Sequence, residues 1–99
     1  MEASRVNRLN PVIHERARLG IVSALAAREA VAFAELKALL DMTDGNLSVH
    51  LRVLEEAGFV AIEKRFVGRK PLTTAQLTRK GRIAFEHYVQ VLEEIVKGR

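Results

Sequence analysis

Apolar residues recur at helical spacing in four segments of the chain, which predicts four helices. The first helix is predicted over residues 11–28, because Asn10 can cap a helix and Pro11 suits its first position. Residues 1–9 are polar and charged, and we expect a loosely ordered arm there. The second helix is predicted over residues 34–41, where leucines recur at helical spacing.

The third predicted helix follows the second after a break of only two residues, Met42 and Thr43. Thr43 can cap it, and Gly58 can end it in the left-handed conformation that glycine adopts readily. Two helices joined by such a short turn form a helix-turn-helix arrangement. Thr78 can cap the last helix, which is predicted over residues 79–97.

Two segments, 59–67 and 72–78, are rich in β-branched and aromatic residues, and a turn at 68–71 separates them. This pattern predicts a β-hairpin, and residues 30–33 predict one further short strand. A length of 99 residues and a hydrophobic fraction of 48% indicate one folded domain. We therefore expect a single domain over residues 1–99 that is mainly α-helical with a small β-hairpin.

The positive charge of the chain is concentrated in one segment. The net charge is +4, and residues 64–82 contain seven basic side chains and no acidic one. Outside that segment, acidic residues outnumber basic ones. A charged face that is merely solvated normally mixes both signs, so we interpret this segment as an anion-binding surface. The seven residues are Lys64, Arg65, Arg69, Lys70, Arg79, Lys80 and Arg82.

The third predicted helix has one apolar side and one small, polar side. Leu47, Leu51 and Leu54 share a face by the helical period and predict the core side. The remaining face suits the DNA major groove, because small residues permit close approach and Asn and Arg contact base edges. The alternative is a capped structural helix with one solvated arginine. The outward residues are Asp44, Gly45, Asn46, Ser48, Val49 and Arg52.

The sequence lacks the residues that several classes of function need. The chain has no cysteine, and its three histidines lie on different predicted helices without metal-ligand spacing. His50 lies at the edge of a core face and is interpreted as a packing residue. No phosphate loop or nucleophile motif is present. We expect no metal, no cofactor and no enzymatic activity.

No apolar run approaches the roughly 20 residues that a membrane-spanning helix needs, and the N-terminal segment does not resemble a signal peptide. We therefore expect a cytoplasmic protein without a membrane partner.

The first and last predicted helices are apolar on more than one side, which exceeds what one small domain usually buries. We interpret the excess as the interface of a homodimer with twofold symmetry. The alternative is that the domain is simply well packed. The predicted interface residues are Val12, Leu19, Val22, Phe85, Val89, Leu92 and Val96.

The string NLSVHLRVLEEAGFV, followed by a basic hairpin and LTRKGRIAFEHY, resembles winged-helix transcription regulators of the MarR and ArsR type. The resemblance covers residues 12–97. It implies a winged helix-turn-helix fold that binds double-stranded DNA, with the third helix in the major groove. It also implies that the hairpin is a wing that reaches the neighbouring backbone or minor groove. The implied wing residues are Lys64, Gly68, Arg69, Lys70 and Arg65, and we add Arg79 as a phosphate contact.

Two alternatives to DNA binding use the same residues differently. A winged helix can be a protein-interaction module, in which case the basic hairpin would bind an acidic partner. RNA binding would need exposed aromatic platforms, and we interpret Phe59, Phe66 and Tyr88 as core or interface residues instead. The sequence does not identify a small-molecule effector, and the absence of cysteine removes the ligands that many metal-sensing ArsR-like proteins use.

Overall fold

The computed structural model describes residues 3–98, which form helices packed against a three-stranded sheet. The mainly helical fold with a small antiparallel sheet confirms the predicted fold class. The elements, in chain order, are α1 (Ala3–Val6), α2 (Arg16–Ala26), β1 (Ala30–Ala32), α3 (Phe33–Leu40), α4 (Asp44–Glu56), β2 (Val60–Val67), β3 (Lys70–Leu77) and α5 (Arg79–Lys97).

The helix predicted to start at residue 11 begins instead at Arg16. The Asn10 carboxamide oxygen does accept two backbone N–H groups, at 2.9 and 3.2 Å, but these bonds close a turn. The helix then starts after Glu15, whose carboxylate accepts a hydrogen bond from the backbone N–H of Arg18 at 2.8 Å. Asn10 therefore caps a turn, and Glu15 caps the helix.

The expectation of a loosely ordered arm is wrong for residues 3–9, while Met1 and Glu2 lie outside the described residues. Residues 3–6 form α1, and Leu9 is buried in the core. The guanidinium of Arg5 donates a hydrogen bond to the backbone carbonyl of Glu94 at 3.2 Å. The burial of Leu9 and the contacts to α5 thus fix this segment.

The sheet has the strand order β1-β3-β2 and is antiparallel throughout. β2 and β3 pair from Val60 opposite Leu77 to Val67 opposite Lys70, so the hairpin closes through two residues. Gly68 takes a φ of 66° at the first turn position, which a type II′ turn requires.

The turn is shorter than the predicted 68–71, because Lys70 and Pro71 belong to β3. β1 pairs only with residues 74–76 of β3. Pro71 therefore lies where no third strand needs its missing N–H.

The core lies between the helices and the inner end of the sheet. The three leucines of α4, Leu47, Leu51 and Leu54, are buried as predicted. Residue Val22, predicted at a dimer interface, is fully buried, so that prediction is wrong. The helical repeat alone does not tell an apolar position that faces the domain core from one that faces a partner.

The junction around Thr78 connects the end of α4 to the start of α5. The Thr78 hydroxyl donates to the carbonyl oxygen of Gly58 at 2.6 Å and accepts from the backbone N–H of Gly81 at 3.0 Å. The Thr78 N–H donates to the carbonyl oxygen of Phe59 at 3.0 Å. A Cβ at Gly81 would overlap that same carbonyl group. The segments NLSVHLRVLEEAGFV and LTRKGRIAFEHY, which carry the family resemblance, therefore contact each other at this junction.

Candidate nucleic-acid interface

The start of α4 is shaped by its cap and by the turn before it. The hydroxyl of Thr43 accepts a hydrogen bond from the backbone N–H of Asn46 at 3.1 Å, as the sequence predicts for a cap. Asp41 ends α3 in the left-handed conformation, with a φ of 52°. This tight reversal holds α3 behind α4 and leaves the first turn of α4 at the surface. The arrangement is a helix-turn-helix.

All six outward residues of α4 are exposed, as the helical period predicts. They are Asp44, Gly45, Asn46, Ser48, Val49 and Arg52. A Cβ added at Gly45 would meet no atom within 4 Å, so the first turn is open to an approaching molecule. Val49 adds an apolar side chain to this otherwise polar face.

Lys37 is a residue of this surface that the sequence did not identify. Its ammonium lies 2.8 Å from the Asp44 carboxylate, which joins α3 to the first turn of α4. The ion pair offsets the one negative charge of the outward face. Lys37 and Asp44 lie on different elements, and their proximity depends on the angle between α3 and α4. Sequence spacing does not give that angle.

A cleft of about 500 Å³ separates α4 from the hairpin. Arg52 lies on its helical wall and Lys64 on its β2 wall, so the structure brings together two predicted DNA contacts from distant parts of the chain. Glu55 also lines the cleft and contributes one carboxylate. The complete lining is Phe33, Ser48, Leu51, Arg52, Glu55, Ile62, Lys64 and Thr73.

The five predicted wing residues Lys64, Arg65, Gly68, Arg69 and Lys70 are all exposed on the hairpin. Arg65 lies 3.7 Å from the carboxylate of Glu63 on the same strand. Among residues 3–98, Lys64, Arg69 and Lys70 are not engaged in an ion pair. The outer half of the wing therefore presents a positive surface.

The other three residues of the basic segment lie at the start of α5 and differ in their contacts. Arg79 is exposed. Lys80 lies over the ring of Phe59, 5.7 Å from its centre, and Arg82 donates a hydrogen bond to the carbonyl oxygen of Ala26 at 3.3 Å. Lys80 and Arg82 thus have structural contacts, and Arg79 is the most available of the three for a ligand.

Phe66 differs from its prediction as a core or interface residue, because its side chain is 73% exposed near the tip of the wing. The two other aromatic residues considered with it, Phe59 and Tyr88, are buried in the core. Burial along β2 falls from the buried Val60 to exposed residues from Glu63 onward, since the hairpin extends beyond the helices. The aromatic composition predicted the strand but not how far it projects.

A polar cluster joins the inner side of α4 to the start of α2. The Arg18 guanidinium donates a hydrogen bond to His50 Nδ1 at 3.2 Å, and the carboxylate of Glu15 lies 3.6 Å from that nitrogen. The hydrogen bond from the Arg18 backbone N–H, with a further contribution from the Arg18 charge, lowers the pKa of Glu15. His50 is partly buried here, in keeping with its predicted packing role.

The predicted dimer residues fall into two groups besides the buried Val22. Those packed against the core with partial exposure are Val12, Leu19 and Phe85. Those exposed on α5 are Val89, Leu92 and Val96. Of the two groups, only the second is exposed enough to contact a partner chain without rearrangement. We call this group the α5 stripe.

Two further observations concern ligands and membranes. The part of the chain that the structure describes holds no group of three or more side chains suited to a metal ion. None of its helices is both long enough and apolar enough to cross a membrane.

Comparison with known proteins agrees with this geometry. The sequence model of the winged helix DNA-binding domain matches residues 17–96, which is most of the chain. The chain belongs to the winged helix DNA-binding domain family. It is 38% identical over 81 residues to the uncharacterized protein MJ0432 of Methanocaldococcus jannaschii, a match that covers 82% of this chain and 88% of that protein.

Solved structures give the same fold. A transcriptional regulator homologue from Pyrococcus horikoshii OT3 superposes with a TM-score of 0.89 at 28% identity, and the match covers 96% of each chain. A protein from Enterococcus faecalis V583 assigned to the MarR family of transcriptional regulators superposes with a TM-score of 0.76. That match covers 94% of this chain and 84% of the other at 22% identity, so it supports the fold alone. The predicted winged-helix resemblance is thereby confirmed.

Proposed function

We propose that this protein is a sequence-specific regulator of transcription that binds double-stranded DNA as a homodimer. In this proposal α4 enters the major groove, and the wing contacts the neighbouring backbone or minor groove. The observation that carries the proposal is the cleft between α4 and the wing, where Arg52 and Lys64 lie on facing walls beside an exposed, small and polar helix face. The fold of the family and its regulator neighbours support the same function.

The exposed face of α4 suits base recognition. The major groove is about 12 Å wide and admits a helix. Asn46 and Arg52 are the candidates for base contacts, since Asn pairs with adenine and Arg with guanine. Gly45 and Ser48 allow close approach, and Val49 provides an apolar contact of the kind that a thymine methyl group accepts.

Phosphate contacts are assigned to the exposed cations of the wing, Lys64, Arg65, Arg69 and Lys70, together with Arg79. Each contact with a phosphate releases counterions, so binding becomes weaker as the salt concentration rises. The ion pair between Lys37 and Asp44 also favours DNA binding, because it reduces repulsion between the Asp44 carboxylate and a nearby phosphate. Electrostatics would thus orient the protein on any duplex, and α4 would select the sequence.

The homodimer is assigned to the α5 stripe of Val89, Leu92 and Val96, which lies on the surface of the described chain. A twofold dimer formed through this stripe would carry two copies of α4. Related dimers bind half-sites about 34 Å apart, one turn of DNA. We therefore expect a nearly palindromic site.

The test compares two arginine variants on duplexes that the parent protein selects from a random library. Arg52→Ala should relax the sequence preference and cost about 1–3 kcal/mol on the selected site. Arg69→Ala should weaken selected and random duplexes alike and reduce the salt slope by about one. Both effects are measured by fluorescence anisotropy at several salt concentrations.

The matched control is Lys97→Ala, which removes one positive charge at the end of α5, away from α4 and the wing. It should change neither the preference nor the salt slope. If the two arginine variants bind duplex DNA like the parent protein, the proposal is wrong. Binding of the parent to an acidic protein but not to duplexes would favour the interaction-module alternative.

A further inference from the structure

The wing ends in an apolar surface that the proposed phosphate contacts do not explain. Phe66 is 73% exposed, and Pro71 lies opposite it on β3 and is exposed as well. We call Phe66 and Pro71 the wing-tip patch. Single exposed apolar residues are ordinary, but an aromatic side chain paired with a proline at the end of a projecting hairpin is more specific.

The patch faces the same side of the hairpin as the cleft beside α4. Side chains alternate along a strand, so Phe66 shares a face with Lys64 and Ile62 of β2. Both of those residues line the cleft with Arg52. The wing-tip patch therefore continues the surface that we assign to DNA. Val67 points to the opposite face, together with Arg65.

The charges around the patch indicate which ligand it fits. Lys64 shares the face of the patch and Arg69 lies in the turn next to it, and neither takes part in an ion pair within residues 3–98; Lys70 pairs with Val67 and points to the other face. An apolar centre with a cationic rim matches the minor groove, where phosphates form the edges and sugars and base edges form the interior. The groove is about 6 Å wide, and the hairpin closes with only two turn residues, so its tip is narrow.

We propose that Phe66, supported by Pro71, inserts into the minor groove beside the site bound by α4 and partly unstacks one base step. The inference rests on the proposed duplex-binding function and adds a determinant of specificity to it. Pyrimidine–purine steps such as TA and CA unstack most easily, whereas A-tracts are stiff. The wing would therefore favour a flexible step at its position without a hydrogen bond to any base.

The experiment starts from a duplex of about three helical turns that the parent protein selects from a random library. Only the step under the wing is varied, to TA, CA, AA or GC, and 2-aminopurine beside it reports unstacking. The parent should bind the TA and CA duplexes about tenfold more tightly than the AA duplex, with increased fluorescence on binding. Phe66→Ala should lose both the preference and the fluorescence change, and Phe66→Leu should retain most of each.

Val67→Ala is the matched control, since Val67 is 58% exposed next to Phe66 but on the other face of the strand. It should change binding less than about twofold. All of these side chains are exposed, so the variants should fold, and circular dichroism verifies this.

The outcomes separate this inference from the function on which it rests. If Phe66→Ala binds every step like the parent while Arg52→Ala remains defective, the inference is wrong and duplex recognition stands. An equal loss on all four steps without a fluorescence change would also overturn it, because Phe66 would then contact only the backbone. If Phe66 supports binding to phosphatidylserine vesicles and not to duplexes, the patch is a membrane contact. If the parent binds no duplex, the proposed function itself fails.

Discussion

Gly45 lies in the exposed first turn of α4, with no atom within 4 Å of an added Cβ. A glycine inside a helix weakens it relative to alanine by roughly 0.5–1 kcal/mol. The chain thus carries a stability cost at a place where nothing in its own structure requires a small residue. If α4 binds DNA as proposed, the close approach of this turn to the bases explains why a glycine is present here. Stability and binding should therefore respond in opposite directions to a substitution here.

For Gly45→Ala we predict greater stability, by about 0.4–1 kcal/mol, because the unfolded chain loses freedom and the helix start is strengthened. The added methyl group would lie between α4 and the bases. Affinity for the selected duplex should fall by roughly tenfold, the size of one lost base contact. Chemical denaturation and anisotropy titration measure the two effects. Unchanged affinity would show that this turn does not approach DNA closely.

At the residue scale, the sequence identified the exposed face of α4 because the helical period alone separates its two sides. The same period could not show that Lys37 neutralises Asp44, since that contact depends on the angle between α3 and α4. Phe66 was misinterpreted for a related reason. Alternation along β2 gives the face on which a side chain lies, but burial depends on how far the helices extend over the hairpin.

At the scale of elements, the junction between α4 and α5 fixes the wing relative to α4. Both strands of the wing start or end at this junction, where Thr78 contacts the backbone of Gly58 and Phe59. Gly81 allows α5 to pass directly over the Phe59 carbonyl group. The relative positions of Arg52 and Lys64 across the cleft therefore depend on a few contacts that lie outside the cleft itself.

Gly81→Ala should destabilise the domain, because the added methyl group overlaps backbone atoms that cannot rotate away. Overpacking of this kind costs about 1–3 kcal/mol. The comparison with Gly45→Ala is direct, since both exchanges add one methyl group within a helix and their predicted effects on stability have opposite signs. Thermal and denaturant unfolding measure the difference. A Gly81→Ala protein as stable as the parent would contradict the close packing at this junction.

Most elements could be predicted from the sequence because their caps and breaks are local. Thr43 and Thr78 cap the helices that they were predicted to cap. The start of α2 was predicted wrongly because Asn10 is a preferred cap residue, whereas glutamate, which caps α2 at position 15, is not. Only the tertiary contacts select between them. One such contact joins the Arg18 guanidinium to His50 of α4 at 3.2 Å.

At the scale of the whole molecule, the chain is elongated, with extents of 54 × 25 × 21 Å and a radius of gyration of 14.8 Å. A compact domain of this length has a radius of gyration of about 13 Å. The excess indicates that parts of the chain project beyond the core. The wing is one such part, and the last turns of α5 carry the α5 stripe, in which Val96 is 77% exposed. A projecting helix with an apolar side is typical of an interface.

The spacing of the α5 stripe predicts how two copies would meet. Its residues Val89, Leu92 and Val96, preceded by the partly buried Phe85, follow one another at intervals of four, three and four residues, as in a short coiled-coil seam. Two such seams related by twofold symmetry would bury the stripe of each copy against the other. The stripe, rather than the buried Val22, is therefore the part of the predicted interface to test.

Leu92→Glu and Val96→Glu should each convert a dimer into a monomer at tens of micromolar, because dimerisation would bury the new carboxylate. The control is Ile83→Glu, which adds the same charge at a side chain 56% exposed, about 180° around the same helix from Leu92. It should remain dimeric. Sedimentation velocity measures the assembly, and a monomeric parent protein would refute the dimer.

The monomeric variants should also bind a palindromic duplex at least about 100-fold more weakly, since the second α4 no longer gains from the first. Equal binding by monomer and dimer would mean that each copy reads its half-site alone.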